Sequence, residues 1–528
     1  MTAKKNIPTK TDLVQLQKLY KTDEKIGERL GGVPAYLVAY WRRKKNVPKY
    51  SLPKFSDREI MALWERHGDD EKCGLELGIS KAAFYNWRRR YGIRQKPAFL
   101  KLEQLEFDFP GHRSVAHGQS LYGEQTIVQK ILARAAGEES VDAGATIDIE
   151  PDLVTSSANS SGVIDEFVKL NQGYVWNSGK IIISESVSGN GSHSVHEFVR
   201  RQGIKTVYDL RDGNCSQVLL ERGHIRPGQL IVGTEPSVLA LGCLGSMAFV
   251  TTPAETAQLW AKGKLSVTVP ATVRIELTGR RSRGVYSRDI LAGLVKELQK
   301  IDLTDKVIEF VGLTVSQMNI SERFTLCHLA RLVGARCAVT PYNSTVRRYL
   351  TGRASAGLSP VQPDKNAAYA QTITIDIREM KPALYTHAKE IKVRPVAEFE
   401  GQSIRQIILG GCANGRFDDL RIAADILKGN KVDRGCQLFI YPASRIVYLE
   451  ALKKGLIRVF VEAGAVVMNP GGELILANNE LILNKTLPTL STTIDTLKGK
   501  DTYFCSPATA AASALNATIT DPSRFVRK

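Results

Sequence analysis

The first residues that could do chemistry form a glycine-rich loop around one thiol, Gly410-Gly411-Cys412-Ala413-Asn414-Gly415-Arg416-Phe417-Asp418-Asp419-Leu420-Arg421. A cysteine in electropositive surroundings can serve as a reactive or redox-sensing thiolate. The eight cysteines (73, 215, 243, 327, 337, 412, 436, 505) show no Cys-x-x-Cys and no short-loop spacing, which argues against a zinc ribbon or a disulfide framework. Most read as buried apolar thiols. A second feature is cationic and repeated. Val33-Pro34-Ala35-Tyr36-Leu37-Val38-Ala39-Tyr40-Trp41-Arg42-Arg43-Lys44 recurs 46 residues later as Ile79-Ser80-Lys81-Ala82-Ala83-Phe84-Tyr85-Asn86-Trp87-Arg88-Arg89-Arg90. Residues 1–100 hold 22 Lys+Arg against 11 Asp+Glu, so they carry +11 of the net +18. That asymmetry suits a polyanion-binding front end.

Each cationic repeat needs a scaffold to present it. Asp12 to Tyr20 and Thr22 to Leu30 precede Gly31-Gly32, while Asp57 to His67 and Asp69 to Leu77 precede Gly78. Both units read as helix, helix, glycine turn, helix, and the pattern resembles the tandem helix-turn-helix units of recombinase and regulator proteins. In the second unit Ser80 suits an N-cap, and Ala83, Phe84 and Trp87 make an apolar face. By the helix-turn-helix geometry, Lys81, Tyr85 and Asn86 are candidate base readers on DNA. Arg42, Arg43, Lys44, Arg88, Arg89 and Arg90 are candidate phosphate contacts. The alternative is that the Trp-Arg-Arg runs are solvated helix ends, since cations favour the last turn. The expected organisation is a tandem helix-turn-helix region over 1–97 (units about 11–48 and 56–94), a linker over 98–121, and a large domain over 122–528.

With 528 residues at 43% hydrophobic and 24% charged, the chain is long enough for several cores. No apolar run of 18 residues appears and Met1 to Pro8 lack the apolar segment of a secretion signal, so no membrane partner and a cytoplasmic location are expected. Apolar runs at Lys180 to Ile183, Leu230 to Val232, Gln437 to Ile440 and Arg458 to Val461 read as strands. They alternate with helical patterns at Ser194 to Gly203, Arg421 to Lys428 and Ser444 to Lys454, which predicts α/β layers.

From about Tyr122 to Ser523 the chain resembles the aconitase superfamily, in particular the large subunits of 3-isopropylmalate dehydratase and homoaconitase. The resemblance rests on Ile127 to Arg134, Val232-Gly233-Thr234-Glu235, Val307 to Gly312, Glu322 to Cys327, the 410–421 loop, and Ser506-Pro507-Ala508-Thr509-Ala510-Ala511-Ala512. It implies a three-subdomain α/β/α core. It also implies a site built from a 4Fe-4S cluster, histidines and carboxylates for proton movement, and arginines that grip carboxylates. Against that pattern Cys412 stands at one cluster position, while Gly472 and Ile475 occupy the other two. Ser157, Ser186, Ser216 and Ser237 stand where the family has histidine, and serine without an activating base is no proton carrier near neutral pH. Asp495 replaces a clamp arginine, and Lys500 keeps a charge at a second such place without the bidentate fork. His328 stands where the family commonly has Asn and reads as a packing variant.

These departures lead to an expectation of no cofactor, no metal and no catalytic residue. The expected ligand pocket comprises Gln217, Glu235, Glu309, Cys412, Asn414, Arg421 and Lys500. The leading expectation is a DNA-binding, transcription-regulatory pseudoenzyme that senses a small organic ligand or mediates assembly as a homo-oligomer. The alternatives are a hydro-lyase large subunit whose swivel domain comes from a separate small-subunit protein, and a nucleic-acid-binding scaffold with no small ligand.

Overall fold

A computed structural model describes residues 8–47, 57–67, 69–91, 93, 124–157, 160–184, 191–209, 211–354, 358–387, 391–470, 484, 486–493 and 501–526. The linker expected at 98–121 lies outside them. The chain divides into two compact units, Met1–Gly118 and Gln119–Lys528. Among the described residues no helix is long and apolar enough to cross a membrane.

Among its described residues the first unit contains six helices: α1 (Lys10–Tyr20), α2 (Asp23–Arg29), α3 (Ala35–Lys44), α4 (Asp57–His67), α5 (Asp70–Glu76) and α6 (Lys81–Arg90). Gly31, Gly32 and Gly78 take positive φ at the turns before α3 and α6, a region that favours residues without a Cβ. Ser80 caps α6 by accepting the amide of Ala83. Two separate small cores form, one from Leu13, Ile26, Val33, Val38 and Val47, the other from Ile60, Leu63, Trp64, Cys73 and Phe84.

Two of the expected phosphate contacts are turned inward instead. Arg42 donates through Nε and Nη2 to the Asp23 carboxylate at 2.9 and 2.8 Å and through Nη1 to the carbonyl of Val47. Arg88 repeats this with Asp70 at 2.8 and 2.9 Å and the carbonyl of Ile93, its guanidinium 3.9 Å above the Trp64 ring. Position eight of each last helix, one turn on, faces the same side as its buried fourth residue, Val38 or Phe84, so the charge must be met inside its own unit. Arg43, Lys44, Tyr85, Asn86 and Arg89 are exposed, and Lys81 pairs with Glu71 at 3.2 Å. The Arg90 side chain lies outside the described residues.

In the second unit three sheets carry the expected α/β layers. A five-stranded parallel sheet runs in the order Thr206–Tyr208, Ile181–Ser184, Leu153–Ser156, Leu230–Gly233, Met247–Val250. A four-stranded parallel sheet runs Cys337–Val339, Val307–Val311, Thr272–Thr278, Gln371–Asp376. A seven-stranded sheet runs Ile391–Pro395, Ala383–His387, Thr502–Phe504, Thr489–Ser491, Gln406–Gly410, Gln437–Tyr441, Val466–Val467, antiparallel only at its first two pairings. One continuous core serves the first two sheets and a second lies under the third. Arg458 to Val461, expected as a strand, is part of the helix Leu456–Ala463. Glycines in the left-handed conformation at 455 and 464 bound that helix, and Ile457, Phe460 and Ala463 are its buried face. A β-rich four-residue window cannot by itself be told from one face of a helix.

The third sheet positions the 410–421 loop. The strand Gln406–Gly410 ends where Gly410 has φ 115° and a Cβ would lie 1.9 Å from the carbonyl oxygen of Tyr441. The loop leads into the helix Phe417–Leu427, which packs on the wholly buried helix Pro507–Ala514. Five alanines along that second helix let the two axes approach closely.

Candidate functional site

Ligands of open parallel sheets bind beyond the carboxyl ends of the strands, and here such ends from the first and third sheets meet. The amide of Asn214 donates to the carbonyl of Ala443 and that of Arg445 to Asp212, both at 2.9 Å, and Gly213 pairs with Ser444. Asn214 caps the helix Cys215–Glu221, so Ser216, Gln217 and Glu221 lie beside this junction. Gln217 Nε2 donates to Glu221 Oε1 at 2.7 Å, and Ser444 Oγ donates to the same oxygen at 2.9 Å. Gln217 Oε1 and Glu221 Oε2 are buried without a hydrogen-bond partner. Burial raises the Glu221 pKa from its ordinary value, against the two hydrogen bonds and the more distant Arg353 and Arg222.

The cysteine loop adjoins this junction, the carbonyl of Gly415 accepting the amide of Ala443 at 2.8 Å. Asn414 is fully buried and donates to Asp419 Oδ1 at 3.1 Å. Arg416, 3% exposed, starts the next helix and turns back inside. Its Nη2 reaches Thr325 Oγ1 at 2.6 Å and Asp419 Oδ2 at 3.3 Å, and its guanidinium lies 4.5 Å from the Phe324 ring centre. Asn414 Oδ1 and Arg416 Nε and Nη1 have no partner. Burial raises the Asp419 pKa, opposed first by Arg416. Tyr349 is within electrostatic reach of both Glu221 and Arg416.

The expected pocket is only partly assembled. Gln217 and Asn414 are buried in this region. Glu235 precedes the 3-10 helix Pro236–Leu244 and is half-buried. Glu309 is fully buried but already engaged, accepting from the hydroxyl of Tyr369 at 2.7 Å, with its pKa raised by burial. Arg421 is half-exposed and pairs with Asp418 at 3.3 Å. It lines a cavity of 490 Å³ with Arg281, Tyr286, Asn319, Asp419 and Asp425, in which neither Gln217 nor Asn414 takes part. The Cys412 side chain and all of Ser186, Gly472, Ile475, Asp495 and Lys500 lie outside the described residues. Of the serines at histidine positions, Ser216 and Ser237 share a hydrogen bond at 3.0 Å and Ser157 is buried. Glu221, Ser444 and Arg416 were missed by the sequence reading. Arg416 stood in the motif, but nothing in its spacing told which of Arg416 and Arg421 would turn inward.

A family model described as Aconitase family (aconitate hydratase) matches residues 124–517. The 3-isopropylmalate dehydratase large subunit 1 of Methanopyrus kandleri is 34% identical over 417 residues, 76% of this chain and 100% of that one. The probable methanogen homoaconitase large subunit of Methanosarcina mazei is 33% identical over 69% of this chain and 95% of its own length. The methanogen homoaconitase large subunit of Methanocaldococcus jannaschii is 31% identical, covering 75% and 99%.

These matches overturn the expectation of a DNA-binding regulatory pseudoenzyme, because these relatives are named as dehydratase and homoaconitase large subunits. They favour the hydro-lyase alternative. The expectation of no cofactor is corrected with it, since large subunits of this kind bind a 4Fe-4S cluster. The donors in this chain do not fit a cluster held by three of its own thiolates at the family positions. Gly472 and Ile475 offer no ligand atom, and among the described residues no three His, Cys, Asp or Glu side chains gather to hold a metal. A cluster here requires donors from elsewhere than those positions.

Proposed function

We propose, from the premise that this chain belongs to the aconitase family, that its second unit is the large-subunit half of a hydro-lyase. It adds or removes water at a small hydroxy acid, in company with a separate small-subunit protein. The observation that carries this reading is coverage. The chain spans 95 to 100% of relatives named as large subunits of 3-isopropylmalate dehydratase and homoaconitase, over an aconitase-like α/β fold. Fold alone does not give activity, so the buried polar junction of Gln217, Glu221, Asn414 and Arg416 is the second support. Polar atoms that are buried and unpaired cost stability unless a ligand or water meets them. In this reading these buried groups hold the acid away from bulk water, and the small subunit completes the enclosure. A cytoplasmic site of action is part of it, supported by seven described cysteines that are all free thiols, as reducing compartments keep them. The six N-terminal helices lie outside the matched span.

The test is turnover. The full chain, co-expressed with family small subunits and reconstituted anaerobically with iron and sulfide, is assayed against 3-isopropylmalate and homologous hydroxy-dicarboxylic acids by the ultraviolet absorbance of the unsaturated product. Absorbance that grows with enzyme supports the reading, and its absence across the series with every small subunit refutes it.

A further inference from the structure

Two arginines, Arg323 and Arg416, are buried near this junction. Arg323 is fully buried, and its guanidinium donates only to carbonyl oxygens, those of Met318, Pro341 and Ser316. Arg416 shares the interior with it, and both lie within electrostatic reach of the Cys243 thiol. The carboxylate ion-paired with Arg416 is Asp419, whose oxygens accept from Asn414 and from the amide of Arg416. Arg416 Nε and Nη1 have no acceptor, and Asn414 Oδ1, from the same loop, has no donor. A buried charged donor left unmade is among the more costly arrangements in a protein interior.

We propose that Arg416 is an anion anchor of this site, binding one carboxylate of a small hydroxy acid through Nε and Nη1 while Asn414 Oδ1 accepts a hydrogen bond from the hydroxyl of the same molecule. The ligand class rests on the hydro-lyase reading, whereas the anchor rests on the unpaired donors. An incoming carboxylate supplies the missing acceptors. Arg421, the more obvious arginine of the motif, is already paired at the surface with Asp418 and has no part in the anchor.

The full chain is titrated with malate as the probe, by calorimetry and by thermal shift. Malate is expected to bind and to raise Tm. Arg416→Lys should weaken binding by about tenfold or more, because one ammonium cannot reproduce two guanidinium N–H directions. Asn414→Asp should abolish it by setting a like charge against the ligand. Arg421→Gln should bind as the parent does, and Asn414→Asp carries the test alone should Arg416→Lys fail to fold. Malate bound equally well by the parent, Arg416→Lys and Asn414→Asp overturns the anchor, as does a parent that binds neither malate nor inorganic phosphate, or loss of binding in Arg421→Gln alone. The two proposals separate cleanly. Arg416-dependent binding without turnover in any small-subunit complex sinks the hydro-lyase and supports the anchor. Turnover with KM and kcat unchanged in Arg416→Lys sinks the anchor and keeps the hydro-lyase.

Discussion

Replacing Asp70 with alanine tests whether the arginines of the N-terminal repeats are structural. The substitution leaves Arg88, 8% exposed, with its bond to the carbonyl of Ile93 and its stacking on Trp64 but without a counter-ion. Removing one partner of a buried pair costs about 3–5 kcal/mol. The lower end applies because both side chains keep slight solvent contact, 10% and 15% exposed. About 3 kcal/mol is a loss of roughly a hundredfold in protection against local opening. Hydrogen–deuterium exchange of the full chain reads this directly in peptides covering residues 57–91. Asp70→Ala should deprotect those peptides and leave 10–47 unchanged. Asp23→Ala, acting on Arg42, should do the reverse, since each unit has its own core. Glu71→Ala is the control. Its pair with Lys81 is 65% and 63% exposed, so it should shift protection by no more than about 0.5 kcal/mol. Arg88→Met in the Asp70→Ala background should restore much of the loss, since no buried charge then remains. Unchanged protection in Asp70→Ala, or a change no larger than in Glu71→Ala, would refute the structural role and return Arg88 to the solvent-facing set.

Other perturbations follow from the same coordinates. Asp289 is fully buried, and burial lifts its pKa from 3.8 to about 7 against hydrogen bonds from Tyr286, Ala383 and Ser506 and the charge of Arg288. Its folded pKa exceeds its unfolded one, so its contribution is complete below about pH 4 and declines by roughly 1.4 kcal/mol per pH unit toward pH 7. Urea midpoints across that window should slope less in Asp289→Asn. A Cβ at Gly27 would meet the carbonyl oxygen of Val33 at 2.0 Å, and one at Gly74 that of Ile79 at 2.8 Å. Gly27→Ala should therefore destabilise its unit by about 1–3 kcal/mol and Gly74→Ala by less, read again by exchange in 10–47 and 57–91.

Much of the architecture was legible because it depends on local pattern. The strands at Leu230 to Val232 and Gln437 to Ile440 announce themselves by apolar, β-branched runs, and Ser80 by being a hydroxyl ahead of an apolar helix face. Arg458 to Val461 shows the limit. Its four residues satisfy a strand pattern, and only the packing of Ile457, Phe460 and Ala463 on one side makes them a helix. The site was legible as a set of residue types and much less as a geometry. Glu309 belonged to the expected pocket, yet Tyr369, sixty residues on, already occupies its carboxylate.

What the sequence determined by itself was kinship, the repeat, and the chemical inventory: one cysteine at the cluster positions, serines for histidines, and a cationic N-terminal segment. These are facts of composition and spacing that no fold can alter. Tertiary structure decided which of those groups are available. Arg42 and Arg88 share their helix faces with buried residues and so meet Asp23 and Asp70 inside each unit, while Arg43 and Arg89, one position on, face solvent. Arg416 and Arg421 stand five residues apart in one motif. The helix beginning at Phe417 turns the first into the protein and the second out to Asp418, because the rotation between successive residues, together with the alanine-lined helix it packs on, allows only one face to be buried.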